Sequence, residues 1–234
     1  MQPLHVIMPV KDSPETTREA ITALMQTNGG IDLTIYNDFS TDENTLMLKQ
    51  LSSQMGFRLI NWAELTDHPS PNYRYTLQHA QQRALEEDAH LAIVESDVLV
   101  RPDTLIRLTA EVNDSVGMVA AVTVDDDGLI NFPYRYAQHL HGDVIDIHKR
   151  LSFCCTLLTH QFLQAYDFQQ LDPEKSWYDV SISHQSILMG YRNLLMLNNP
   201  VTHRPHSSRP WKQLKYTHPI KYYWQKITRK RDRI

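Results

Sequence analysis

Three short stretches and one distant pair hold the residue types that could do chemistry together. They are Glu95-Ser96-Asp97, the loop Asn37-Asp38-Phe39-Ser40-Thr41-Asp42, the turn Pro9-Val10-Lys11-Asp12, and Asp179 with His203. In an extended segment side chains two apart point the same way, so Glu95 and Asp97 face one cleft. Carboxylates are the oxygen ligands a hard divalent cation needs, usually one or two, with phosphate and water completing the shell. Such an ion neutralises a diphosphate and the further charge that builds when it departs. A short acidic pair is equally what a solvated turn after a strand looks like. Asp38 is placed to accept a hydrogen bond from a base N–H, while Thr41 or Asp42 suits a helix N-cap. Asp179 precedes an apolar helix face, so its carboxylate lies near a positive helix end, as an N-cap aspartate would. His203 opens the cluster His203-Arg204-Pro205-His206. Imidazole is a common ligand for transition metals, and a surface histidine is the competing reading.

These residues need a frame to meet. The first 110 positions alternate short β runs with amphipathic helices. Leu4–Met8, Ile31–Tyr36, Phe57–Trp62 and Leu91–Val94 read as strands. Ser13-Pro14 reads as an N-cap followed by proline at the first helical position, with Thr17, Ala20, Ile21, Leu24 and Met25 on one face. Further helices carry Met47, Leu51 and Met55, then Leu77, Ala80, Ala84 and Leu85, then, after Pro102, Leu105, Leu108 and Val112. Strand–helix alternation predicts a mainly parallel, doubly wound sheet with helices on both faces. Ligands sit at the carboxyl ends of such strands, where Pro9–Asp12, Asn37–Asp42 and Glu95–Asp97 all fall. In the second half Met118–Val124 and Leu151–Leu158 read as strands. Val180, Ser183, Ile187, Leu188 and Tyr191 form one helix face, and Asn198–Pro210 reads as irregular. This half is expected to share the core as a smaller acceptor-side subdomain.

Composition narrows the class. The chain has 234 residues, ordinary hydrophobic (41%) and charged (21%) fractions, and no apolar run of membrane-spanning length. Met1–Val10 lacks the basic start and long apolar run of a signal peptide, so a cytosolic chain is expected. The two cysteines, Cys154 and Cys155, are neighbours in a strand-like stretch and read as reduced core residues. The net charge of -4 conceals a division: residues 204–234 hold ten Lys and Arg against one acid. That basic end suits anionic lipid headgroups or donor phosphates as well as plain solvation. Nucleic acid is not expected, since the body is acidic and carries neither zinc-finger spacing nor an aromatic-studded basic pattern.

The order of these motifs resembles family 2 glycosyltransferases. Ile7-Met8-Pro9-Val10-Lys11-Asp12 is similar to the family's apolar strand running into a proline and a nucleotide-contacting loop. Asn37–Asp42 is similar to its (D/N)DxSTD loop, Glu95-Ser96-Asp97 to its DxD motif, and Trp177-Tyr178-Asp179-Val180 to its later ED-V segment. Pro200-Val201-Thr202-His203 resembles its closing strand with a histidine. The resemblance implies a GT-A-like α/β fold over residues 1–208, with 1–110 holding the nucleotide sugar, 111–208 the acceptor, and 209–234 a basic extension. It implies transfer from a nucleoside-diphosphate sugar, a UDP-sugar first, to a glycan or lipid-linked acceptor. The cofactor implied is a divalent metal, Mn²⁺ or Mg²⁺. Pro9 and Asp38 would line the nucleoside pocket, with Val10, Asp12, Asn37, Glu95 and Ser96 around the donor. Asp97 and His203 would bind the metal, and Asp179 would be the base that activates the acceptor hydroxyl with inversion. Asn37, Glu95 and Tyr178 depart from the family's usual acids. Peripheral contact with the inner face of a membrane would follow from the basic end.

Other assignments fare less well. Arg74 could reach a phosphate or lie on the surface. Asp125-Asp126-Asp127 is followed by Gly128 and reads as an Asp-Gly turn rather than a metal motif. Tyr134, Tyr136, His139 and His141 lie where an acceptor would bind, or are packing residues. No G-x-G-x-x-G follows a strand and the chain has just seven glycines, which disfavours a nicotinamide dehydrogenase and a P-loop hydrolase. Pro9–Pro14 lacks the glycines of a sugar-nucleotide pyrophosphorylase. A catalytically degenerate protein that only binds nucleotide or glycan is the non-enzyme alternative.

Overall fold

A computed structural model describes residues 2–175, 177–204 and Trp224. The first half builds four parallel strands, β1 (Leu4–Val10), β2 (Asp32–Asn37), β3 (Arg58–Asn61) and β4 (His90–Val94), in the spatial order β3-β2-β1-β4. Helices α1 (Pro14–Met25), α2 (Asp42–Met55) and α3 (Tyr73–Glu86) connect them. The second half adds β5 (Val98–Leu99), α4 (Thr104–Ala110), β6 (Val116–Val124), β7 (Val144–Asp146), β8 (Cys155–Leu158), α5 (His160–Ala165), α6 (Tyr178–Leu188) and β9 (Arg192–His203). The sheet continues β4-β8-β6-β9-β5, with β7 on β9. β8 runs antiparallel to both β4 and β6, so the sheet changes from parallel to mixed at that strand.

Alternation along each strand loads both faces of the sheet. Val6, Met8, Ala92, Val94, Val119 and Ala121 pack on one side with Leu24 of α1, Leu48 of α2 and Leu108 of α4. Ile7, Leu91, Ile93, Met118 and Ala120 pack on the other with Leu77 of α3, Phe162 of α5 and Ile182 of α6. Fully burying one such leucine contributes roughly 1.5–3 kcal/mol. Two apolar layers explain why β1 and β4 read as almost unbroken hydrophobic runs.

Three expectations are corrected, and one strand is added. Ser13 sits at the N-cap of α1, yet its side chain makes no capping bond, because Asp12 and Ser13 both take left-handed backbone with φ of 57° and 59°. Residues 151–154 lie outside β8, which begins only at Cys155. The stretch from Asn198 is strand as far as His203, with a register break against β6 between Met196 and Val201, and residues 205–210 lie outside the described residues. The two-residue β5, invisible to periodicity, pairs antiparallel with its end. Asp125 accepts from the Asp127 and Leu129 amides, which makes Asp125–Gly128 the expected turn.

Candidate active site

The loops after β1, β2 and β4 leave the same edge of the sheet, since Val10 is in register with Asn37 and Ile7 with Ile93. The first two loops lock together. Asp12 donates its amide to Ser40 Oγ at 2.9 Å, and its carboxylate accepts from the Thr41 amide at 2.9 Å and from Asn44 Nδ2 at 3.3 Å. Left-handed backbone costs a non-glycine residue about 1–2 kcal/mol, and these bonds offset it. Asn37 is buried and donates to Thr45 Oγ1 and Asn61 Oδ1, both at 2.9 Å. Thr41, not Asp42, caps α2. Asp38 holds a third segment: its carboxylate accepts from Ser70 Oγ at 2.7 Å, the Asn72 amide at 3.0 Å and Asn72 Nδ2 at 2.8 Å. Pro9–Asp12, Asn37–Asp42 and Ser70–Asn72 are thus tied together, and Asn72 takes the N-cap position of α3, two residues before Arg74. Arg74 lies 5.0 Å from the centre of the Tyr75 ring.

At the end of β4 two long-range pairings converge. Glu95 donates its amide to the Cys154 carbonyl at 3.0 Å, which continues the β4–β8 ladder by one bond. β5 pairs Val98 with His203, and the Arg204 amide donates to the Asp97 carbonyl at 2.9 Å. That pairing sets His203 Nε2 3.6 Å from Asp97 Oδ2, with both side chains nearly buried (3% and 9% exposed). His203 Nδ1 lies 2.7 Å from the Phe132 carbonyl. A carbonyl only accepts, so Nδ1 carries the proton and, in the neutral ring, the Nε2 lone pair faces Asp97. This is the arrangement of a histidine prepared to ligate a metal, its second nitrogen held by a carbonyl. Buried Ser96 lies between the two acids.

Asp179 occupies the first turn of α6, and Trp177 takes the N-cap position without a capping side-chain bond. The Asp179 carboxylate accepts from Arg150 Nη1 at 3.3 Å. The Arg150 guanidinium in turn lies 5.9 Å from the centres of the Phe132 and Trp177 rings. Two links join this end to the acids. Phe132 offers its carbonyl to His203 and its ring to Arg150. The five residues from Arg150 to Cys154 run from Asp179 to Glu95 and are fixed midway, where Tyr134 Oη accepts from the Ser152 amide at 2.9 Å. Tyr134 is therefore a buried brace, its hydroxyl pushed far above the ordinary tyrosine range by burial. The Tyr178 hydroxyl is likewise raised by burial, with the nearby Arg74 charge opposing it.

Sequence reading missed Arg150, Phe132 and Cys154. Cys154 Sγ donates to Glu95 Oε2 at 3.3 Å. Burial first, then the Glu95 charge, hold its thiol well above the ordinary range. The turn Asp125–Gly128 stands apart from the acid cluster in role: Asp126 pairs with Arg204, which also reaches Glu19 at 2.7 Å.

The mixed sheet with helices on both faces and polar loops at the ends of β1, β2 and β4 is a GT-A-like fold. The sequence matches the description "Glycosyl transferase family 2" over residues 5–195, and the chain belongs to that family. No curated protein matches the sequence. Among solved structures it resembles the mannosyltransferase PcManGT from Pyrobaculum calidifontis in complex with GDP-Man and Mn²⁺, at 14% identity and a TM-score of 0.67, covering 97% of this chain and 64% of that one. It also resembles S. aureus TarS 1-349 in complex with UDP-GlcNAc, at 15% identity and a TM-score of 0.65, covering 95% and 64%. GalNAc-T7 with UDP, GalNAc and Mn²⁺ is similar at 11% identity and a TM-score of 0.64, covering 87% and 44%. The chain thus spans less than two thirds of each of these proteins. Among the described residues no helix is long and apolar enough to cross a membrane. The basic extension 209–234 lies outside the described residues, apart from Trp224.

Proposed function

We propose that this protein transfers a sugar from a nucleoside-diphosphate sugar, a UDP-sugar first, to a hydroxyl of a glycan or lipid-linked acceptor, with inversion. The observation that carries the proposal is the meeting of Asp97 and His203 at 3.6 Å, beside Glu95 and on the strand edge where the Asp12 and Asp38 loops emerge.

Pro9, Val10, Asp12, Asn37 and Asp38 form the nucleoside side. Asp12 and Asn37 fix the loops, and Asp38 fixes the opposite wall at Ser70–Asn72. Glu95 and Ser96 face the sugar and ribose. The residues fit a divalent cation: a near-buried carboxylate, an imidazole with its lone pair directed inward, and a further acid. Asp97 and His203 would hold Mn²⁺ or Mg²⁺, whose contribution is to neutralise the diphosphate as it departs. Asp179 accepts the acceptor's hydroxyl proton. The freed oxygen bonds to the anomeric carbon from the side opposite the diphosphate, and the carbon–phosphate-oxygen bond breaks with its electron pair going to the nucleoside diphosphate. Arg150 orients the Asp179 carboxylate through their 3.3 Å contact. Arg74, at the start of α3, is placed to meet a phosphate. The positive charge of 209–234 suits an acceptor presented at an anionic membrane surface.

The test is thermal unfolding with Mn²⁺ plus UDP, GDP or TDP, for the wild type and Asp97→Asn. A ligand at 100 times its Kd stabilises by about 2.7 kcal/mol. At roughly 2–4 °C per kcal/mol for a chain of this size, that is a rise of several degrees. The expected result is a metal-dependent rise with one nucleotide, reduced in Asp97→Asn. No rise with any nucleotide would remove the donor site. A rise without turnover across many acceptors would instead favour a binding protein.

A further inference from the structure

The displacement above makes no use of Cys154, yet its thiol lies inside the acid cluster. Cys154 Sγ is 3.3 Å from Glu95 Oε2 and 3.4 Å from Ser152 Oγ. One ligand atom from each of Glu95, Cys154 and His203 lies within 4.8 Å of the other two. Cys154 is 2% exposed and His203 3%. The His203 imidazole is already oriented by the Phe132 carbonyl, which leaves Nε2 as a donor. Zinc-type ions bind sulfur at about 2.3 Å and nitrogen or oxygen at about 2.0–2.2 Å, so tetrahedral ligands sit roughly 3.3–3.8 Å apart. The Glu95–Cys154 separation is already in that range, and the His203 ligand atom lies within 4.8 Å of both.

Resting on the reading of this end of the sheet as the metal end, we propose that Glu95, Cys154 and His203 form a carboxylate–thiolate–imidazole site for a thiophilic divalent ion of the zinc or cobalt(II) type. It overlaps through His203 with the oxygen-rich position at Asp97. The two positions divide ions by softness, since thiolate favours zinc-like ions while carboxylate and phosphate favour magnesium and manganese. Binding breaks the S–H bond, releases its proton to solvent, and gives the sulfur lone pair to the ion, with no change of oxidation state. An ion held this way takes His203 from Asp97, so zinc opposes donor binding supported by Mn²⁺.

Cobalt(II) titration of the full, reduced chain without nucleotide tests this. The expected result is a thiolate-to-cobalt charge-transfer band in the near ultraviolet that saturates at a single equivalent and is bleached by zinc. The band persists in Cys155→Ala and disappears in Cys154→Ser. Should Cys154→Ser fail to fold, Cys155→Ala still decides, because Cys154 is then the sole thiol. No band at millimolar cobalt, or a band that follows Cys155, overturns the site. Donor binding is measured separately with Mg²⁺ and nucleotide. A band without nucleotide binding would sink the glycosyltransferase reading alone, and the reverse result would sink this one alone.

Discussion

At the residue scale the catalytic reading turns on two pairs, Asp97 with His203 and Asp179 with Arg150. The first is nearly dry and the second partly exposed, which matches their proposed work. An ion site gains from exclusion of water, whereas a base must exchange its proton with solvent after each turnover. General-base catalysis is typically worth 10²–10⁴-fold. Asp179→Asn is therefore expected to lower kcat by about that factor while the donor Kd, read by calorimetry, stays put. An equal loss in donor affinity would mean that Asp179 is a donor contact instead. Arg150→Gln removes the charge beside the base but leaves its carboxylate in place. The expected outcome is a fall in kcat smaller than that of Asp179→Asn, with donor Kd unchanged, because the base has lost the group that orients it. An unchanged kcat would show that Arg150 only packs between Phe132 and Trp177.

At the element scale, pairing register decides what meets what. β9 ends opposite Val98, and a slip of one residue would turn His203 away from Asp97. The far end of β6 is held as closely. A Cβ on Gly117 would lie 2.8 Å from Tyr191 Cβ and nearer still to Ser186 Oγ, which donates to Asn193 Oδ1 at 2.7 Å. Gly117→Ala must displace the α6–β9 connection or break that bond. Overpacking of this kind costs typically about 1–3 kcal/mol. Thermal unfolding should show a drop of several degrees, and an unchanged midpoint would mean that this turn yields freely. The donor-side loops behave as one unit, since Asp12 ties β1's loop to α2 and Asp38 ties β2's loop to α3. Asp12→Ala should therefore raise the donor's KM without altering the metal preference, which steady-state kinetics with Mn²⁺ and Mg²⁺ would check.

At the scale of the whole molecule, three histidines away from the site link stability to pH. His5, His79 and His90 each have their pKa lowered below the ordinary 6.5, in every case chiefly by burial. His5 Nδ1 bonds Asp32, His79 Nδ1 bonds the Tyr36 hydroxyl, and His90 Nδ1 accepts from the His160 amide at 3.0 Å. Between the lowered values and 6.5 the unfolded chain binds more protons than the folded one, so stability rises with pH across that window. It is fully present above about pH 6.5 and is lost as the pH falls toward the folded values. The midpoint of thermal unfolding should be level from about pH 8 to 7 and decline below 6.5, with His90→Asn flattening part of the decline. A level profile down to about pH 5 would contradict this.

The sequence by itself determined the strand-end loops. Apolar runs such as Leu91–Val94, set between amphipathic helices, read as strands buried on both faces, so the polar residues that follow them emerge at the sheet edge. Turn chemistry likewise set Asp125–Gly128 aside, and the order of motifs carried the family. Only the tertiary structure decided the partners. Phe132 and His203 are 71 residues apart, Glu95 and Cys154 59, and Arg150 and Asp179 29. Only the closing end of β9, Pro200–His203, was legible; the rest was not, because the buried Asn193 and Asn199 look like loop residues until Ser183, Ser186 and Thr104 satisfy their amides. Cys154 read as core because burial and ligand reach are the same local signal. Periodicity reports which face a residue takes, and that is fixed by neighbours in sequence. Which group it meets there is fixed by strand register across the sheet, a long-range choice that no local pattern encodes.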